Sequence, residues 1–189
     1  MAVSLSWADI KKDFDESLGY VRQDVEWLQK HDCGLNYTVA LLIGCGCEML
    51  AAASGDAKRR GERVLESMLP PGDWRLLGDR LYTALRDGLA HGFDTKHLDV
   101  DNQMIQIYIS WRSTEVIEIQ RVDGGLGVRL GVQPLAAALC AEIDKLEYVL
   151  QQDEPARKRF LRACEYQRLA PLNKNEAAAW RRLAASVRP

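Results

Sequence analysis

The chain is poor in residues that bind metals or build disulfide frameworks. Of its 189 residues, only three are histidine and five are cysteine. Five is an odd number, so these cysteines cannot all pair within one chain. The N-terminus shows no basic stretch leading into a signal-type apolar run. Together these point to a reduced, cytoplasmic protein. Glycine-rich phosphate loops are missing too: neither GxxxxGK[ST] nor GxGxxG after a strand occurs, which argues against the P-loop and dinucleotide-binding classes. The serines of Ser110-Trp111-Arg112-Ser113 lack the setting of a nucleophile elbow. Long apolar runs are scarce. The most apolar stretch, Val39 to Ala53, is shorter than the ~20 residues a bilayer requires and contains Glu48, so it reads as a buried helix and no membrane contact is expected. No internal repeat is visible, and the alanine-rich C-terminal end is the only biased segment.

What remains is ordinary for a globular protein: 47% hydrophobic and 28% charged residues. Net charge is −2, unlike a dedicated polyanion binder. Its distribution is uneven. Residues 154–189 carry nine Lys/Arg and three Glu, or +6, which leaves −8 on the first 153 residues. A basic end on an acidic body suits either phosphate contact or a solvated helix face.

Periodicity organises the chain. Trp7, Ile10, Phe14, Leu18, Val21, Val25 and Leu28 recur at helical steps, predicting a helix over 6–30 with Ser6 as cap. A second helix, 36–53, is apolar nearly all round and belongs in the middle of a bundle, with Gly44 and Gly46 admitting a close neighbour. A third, 57–69, has a charged face with Lys58, Arg59, Arg60, Arg63, Glu62 and Glu66. After the break at 69–74, Asp73 is placed to cap a helix from Trp74 to about His91 that buries Leu77, Leu81, Leu85 and Leu89. The period then changes to two. Runs at 104–111, 115–122 and 126–132 predict a three-stranded antiparallel meander, with Ser113-Thr114 and Asp123-Gly124-Gly125 as turns. Helices follow at 134–152 and 155–169, and a last one ends near Val187. The expected architecture is mainly α: a helical domain over 1–153, a β-meander inserted at about 103–133, and a basic helical extension over 154–189.

The chemistry centres on Leu85-Arg86-Asp87-Gly88-Leu89-Ala90-His91-Gly92-Phe93. On a helix, Asp87 and His91 are one turn apart, so the carboxylate can orient the imidazole. Arg86 lies about 140° around the axis from His91. An arginine fork matches phosphate oxygens, and a histidine moves protons near neutral pH. These are the minimal parts for metal-free RNA cleavage by 2′-hydroxyl attack. The bland alternative is a surface ion pair beside a helix-capping histidine.

Other candidates are secondary. Glu48 needs a partner within its apolar helix, and an arginine of the motif helix is one. Lys96 and His97 follow the motif helix and are placed to contact substrate. Arg59, Arg60 and Arg63 would steer RNA if their helix borders the cleft. Cys45 and Cys47 point to different faces and no Cys/His pair completes a ligand set, so neither metal nor cofactor is expected. His31 reads as a helix-end residue.

Arg86-Asp87-Gly88-Leu89-Ala90-His91, near the end of an amphipathic helix in an α-rich chain, resembles the HEPN superfamily motif: an arginine, often followed by a polar Asn, Asp or His, then four to six residues and a histidine. The resemblance spans about residues 5–155. It implies a HEPN-like helical bundle that pairs as a homodimer, with two copies of Arg86 and His91 facing one cleft. It implies a metal-independent endoribonuclease, of the kind found in toxin–antitoxin and antiphage defence systems, with an antitoxin or other regulator as partner. Other members of that family are non-catalytic modules that bind RNA, nucleotides or proteins, and this alternative stands beside the first. Phe93 departs from the tyrosine that some toxin members carry two residues after the histidine. The strands and C-terminal helices lie outside a minimal bundle. A purely structural helical protein, its motif residues bound up in ion pairs, is the third reading.

Overall fold

The computed structural model describes residues 4–31, 36–55, 60–92, 97–122, 125–168 and 174–186; the side chains at 36, 87, 88, 90–92, 166–168, 176 and 182–186 fall outside that description. A helical rod opens at Ser6, whose backbone N–H and hydroxyl both donate to the Asp9 carboxylate at 2.7 Å. This is the reciprocal first-turn pairing that occupies otherwise free donors. The rod comprises α1 (Trp7–Phe14), one π-helical turn (Asp15–Gly19) and α2 (Tyr20–His31). Ile10, Phe14, Leu18, Val21 and Val25 form its buried stripe, as the helical spacing predicts.

Then follow α3 (Asn36–Ala53), α4 (Gly61–Met68), α5 (Asp73–Leu76) and α6 (Gly78–Gly92). Next come the strands β1 (Leu98–Val100), β2 (Gln103–Ser110), β3 (Ile117–Val122) and β4 (Gly125–Gly131). The helices α7 (Val132–Gln152), α8 (Glu154–Arg168) and α9 (Lys174–Ser186) follow. The chain is thus mainly helical with a small sheet. Among the described residues, no helix is long and apolar enough to cross a membrane.

Helix α3 is the hub: it packs against α2, α4, α6, α7, α8 and β2. Val39, Ala40, Ile43, Cys47, Leu50 and Ala51 are buried in one continuous core. Its surround is not apolar throughout, because Tyr37, Thr38, Cys45 and Glu48 are exposed along one side. The close approach expected at the glycines occurs at Gly46. A Cβ there would stand 2.7 Å from Leu139 Cδ2 and 3.2 Å from Val21 Cγ1, so a side chain would require Leu139 to move. Helix α8 joins the same core through Ala156, Phe160 and Cys164. Phe160 meets Phe14 with ring centroids 6.1 Å apart.

The helix expected over 74–91 is broken. Leu77 (φ −91°, ψ −2°) ends α5, and Gly72, not Asp73, occupies the cap position, with φ +96°. Leu81, Leu85 and Leu89 are buried as expected, whereas Leu77 is exposed. The third helix begins at Gly61, later than expected.

The three-stranded antiparallel meander is corrected by the sheet's topology. The sheet is mixed, with order β1-β2-β4-β3. β4 lies between β2 and β3, parallel to β2 and antiparallel to β3. Val122 pairs with Gly125, so the hairpin expected at 123–125 exists. The Ser113-Thr114 connection is not a hairpin. It lacks the Asn-Gly type of pair that tight two-residue turns favour, and it opens into a crossover over 111–116, leaving a slot that β4 fills. Trp111 and Ser113 are buried in that crossover. The Gly131 N–H donates to the Val116 carbonyl at 3.0 Å, and a Cβ on Gly131 would lie 2.1 Å from the Glu115 carbonyl oxygen. β1 was not expected. It pairs with β2 through a two-residue turn in which Asp101 (φ 52°) and Asn102 (φ 61°) both adopt left-handed geometry, the type I′ pattern.

Two consequences are measurable. Gly131→Ala forces a methyl into a fixed backbone oxygen, so it should lower unfolding free energy by about 1–3 kcal/mol in urea titration; an unchanged midpoint would show that the crossover yields freely. At the same corner, Glu118 accepts from the Ser113 hydroxyl at 2.9 Å and from Arg129 Nε at 2.9 Å. The hydrogen bond from Ser113, seconded by Arg129, holds its carboxyl below the usual carboxylate range, against a smaller opposing effect of burial. Such a group stabilises the native state above its unfolded pKa, and that contribution is lost as pH falls through the lowered native value. Glu118→Gln should therefore lower the melting temperature at neutral pH, and its deficit should shrink as the pH is taken below the ordinary glutamate range.

Candidate functional site

The motif helix α6 lies along α3 in an antiparallel seam. Where α3 runs from Gly44 to Glu48, α6 presents Arg86 and then Tyr82, one helical turn apart on each side. A Cβ on Gly44 would sit 3.6 Å from Arg86 Cβ, an ordinary contact, so the arginine emerges directly over the glycine. Arg86 is exposed. Tyr82 is buried, at 7% exposure, and its hydroxyl donates to Glu48 Oε1 at 2.5 Å. Gly61, the first residue of α4, backs that hydroxyl: a Cβ there would lie 2.5 Å from the phenolic oxygen. Helices α3, α4 and α6 thus meet at one phenol.

The electrostatics of the seam follow from this packing. Burial pushes the Tyr82 hydroxyl far above the ordinary phenol range, and the hydrogen bond to Glu48 and its negative charge push it further. The charge of Arg86 pulls the other way. Tyr82 is therefore a fixed donor at any physiological pH, and the charges of Glu48 and Arg86 meet at it. Glu48 is exposed, and its hydrogen-bond partner, rather than an arginine of the motif helix, is Tyr82, a residue not singled out from the sequence. Its position four residues before Arg86 was the available signal, since that spacing puts both on one helical face.

Asp87 and His91 belong to the last turns of α6; their side chains lie outside the described residues, as do Lys96 and Arg59. His97 is described. It is exposed just before β1 and borders two hollows. The first, about 410 Å³, runs beside α6 and is lined by Arg80, Thr83, His97 and Asp99 with an apolar floor at Leu77 and Leu98. The second, about 340 Å³, includes His97, Asp99, Asn102 and Met104. Arg80, Thr83 and Asp99 did not emerge from the sequence, because β1 was not foreseen and α6 was expected to run on from Trp74.

Several other cations have engagements of their own. Arg63 donates to both Glu66 oxygens at 2.6 and 2.9 Å, and Arg60 lies 3.8 Å from Glu62. These are exposed pairs of the kind that contribute little stability, and they place Arg60 and Arg63 on a solvated face of α4. In the basic C-terminal segment, Lys158 pairs with Glu154 and Arg159 with Asp153. Arg157 is buried and donates to the carbonyls of Leu5, Leu150 and Gln151 at 2.6, 2.7 and 3.2 Å. Cys45 is exposed and Cys47 buried against Met68, Sγ to Sδ 3.9 Å. His31 ends α2, stacks on Trp27 and places Nδ1 2.8 Å from the Trp27 carbonyl.

The seam makes a definite prediction. Tyr82→Phe removes the phenolic donor and leaves the space filled, so it should destabilise the chain by about 1–2 kcal/mol in urea titration. Glu48→Gln retains an acceptor oxygen and should cost less. Equal stability of Tyr82→Phe and wild type would show that the hydrogen bond is incidental to the packing.

Compared with known proteins, the chain matches no family model, no curated protein and no solved structure.

Proposed function

We propose that the chain is a HEPN-type, metal-independent endoribonuclease, working as a homodimer in whose cleft Arg86 and His91 occur twice. The observation that carries this reading is the setting of Arg86. It stands exposed at the α3–α6 seam, directly over Gly44 and one turn from the Tyr82–Glu48 pair. An arginine so placed has its backbone packed against α3 and its side chain exposed beside a buried phenol, a setting that suits phosphate recognition.

In this reading His91 takes the proton of a ribose 2′-hydroxyl. The freed oxygen attacks the adjacent phosphorus, an O2′–P bond forms and the P–O5′ bond breaks. The departing 5′-oxygen receives a proton from the His91 of the partner subunit. Arg86 offsets the charge that accumulates on the crowded phosphate. Asp87, one turn before His91, orients the imidazole. The products are a 2′,3′-cyclic phosphate and a 5′-hydroxyl. DNA, lacking the attacking group, is not a substrate. A role in a toxin-like or antiphage system, with a regulatory protein covering the cleft, fits such an activity in a reduced cytoplasm.

Incubation with single-stranded RNA in EDTA tests this. Wild type should cleave RNA, leave DNA of the same sequence intact and yield cyclic-phosphate ends. His91→Ala should lower the rate by about 10²–10⁴-fold, and Arg86→Ala should be comparably impaired. RNA bound but never cut would assign the chain to the non-catalytic binding modules. Wild-type rates in either variant would remove these residues from the mechanism.

A further inference from the structure

A second feature of α6 lies on the β1 side of the helix, away from the seam with α3. The groove of about 410 Å³ there carries Arg80 and Thr83 from the helix and His97 and Asp99 from the start of β1. Among the described residues, Arg80, His97 and Asp99 form no hydrogen bond or ion pair. An arginine, a histidine and a carboxylate gathered in one groove without bonding to one another are groups left for a ligand. This contrasts with Arg63, Arg129, Arg157 and Lys158, each tied to a carboxylate or carbonyl.

The groove does not end at its polar wall. It shares Leu77, Leu98 and Val100 with an adjoining hollow of about 180 Å³. That hollow is walled by Trp74 and by the open end of the sheet's inner face, at Ile119 and Leu126. Its walls are apolar, yet Val100, Ile119 and Leu126 are exposed there, although alternation directs them to the same face as the buried Ile107, Val128 and Leu130. Trp74 of α5 and Leu77, at the break between α5 and α6, both line this opening.

We infer that the Arg80–Thr83–His97–Asp99 groove and the adjoining Trp74–Ile119–Leu126 hollow form a binding subsite for one nucleotide of a single-stranded RNA, lying outside the cleavage site. The inference rests on the ribonuclease reading for its choice of polymer. Each part of a nucleotide finds a complement. The Arg80 fork and the Thr83 hydroxyl suit a phosphate; the Asp99 carboxylate accepts from ribose hydroxyls; the flat, apolar face of a base fits against the hollow. Thr83 precedes His91 by eight residues, about 12 Å along the helix axis. A strand anchored there reaches the motif by running along α6, so the subsite would hold the RNA in place beside the cleavage site.

The test uses the full chain carrying His91→Ala, which leaves the groove intact and removes cleavage, and a fluorescent single-stranded RNA that keeps its 2′-hydroxyls. This chain should bind it, and a matching duplex should bind more weakly. Arg80→Ala should weaken binding about ten-fold and flatten the dependence of log K on log salt by about 0.7, one phosphate's worth. Ile119→Asp, at an exposed position, should weaken binding while leaving the melting temperature near wild type. On unmodified RNA, Arg80→Ala should raise KM. Unchanged affinity and salt slope in Arg80→Ala, or no binding by the His91→Ala chain, would overturn the subsite. The two readings fail separately. Cleavage with Arg80→Ala indistinguishable from wild type removes the subsite and spares the nuclease. Groove-dependent binding without cleavage of ordinary RNA removes the nuclease and retains the subsite.

Discussion

Everything in the fold depends on how closely other elements approach α3. A helix surrounded by α2, α4, α6, α7, α8 and β2 has room for few large residues, and the run of Gly44, Gly46, Cys47 and Ala51 reflects this. At Gly46 the absence of a side chain lets Leu139 of α7 and Val21 of α2 close on the same backbone. Interior packing is near crystal density, so a few tenths of an ångström at such a point propagate to the neighbours. Glycine costs helix stability, about 1 kcal/mol against alanine; at this position contacts with two other elements compensate for it.

The same hub organises the candidate site. Glu48 is on α3, Tyr82 and Arg86 on α6, and Gly61 at the entrance to α4. None of the three helices alone would fix the phenol, since the hydroxyl is held by an acceptor from one and walled by the backbone of another. The site's geometry is thus a product of core packing rather than of a loop. Its polar atoms are spatially separate from the free groups of the β1 groove, and the two lie on different sides of one short helix.

Much of the helical framework was legible in the sequence because the apolar spacing of one face survives in a single chain. Ile10 through Val25, Leu81 through Leu89 and Leu135 through Leu150 are buried as their periods imply. The sheet was less legible. Alternation identifies strands and says nothing of their order, and the insertion of β4 between β2 and β3 is decided by a crossover that no local pattern announces. The Asp101-Asn102 turn was readable in principle; its signal was hidden because β1 is only three residues long. The break at Leu77 was hidden for the opposite reason: the leucine period continues across it, while the backbone does not. Of the candidate site, the motif spacing was legible and Tyr82 lay within reach of the same helical spacing, whereas Arg80 becomes visible only when β1 gives it a context.

Arg157 carries a consequence of a different kind. It donates to the carbonyl of Leu5 across 152 residues, and beside it Glu154 accepts from the Ser4 hydroxyl while Phe160 lies against Phe14. Helix α1 is therefore completed by a helix synthesised some 150 residues after it. At about 5–20 residues per second, Ile10 and Phe14 wait roughly seven to thirty seconds for the side chains that cover them. During synthesis the nascent α1 presents an apolar stripe with no partner, and a helix in that condition is a natural client for whatever shields unfinished chains.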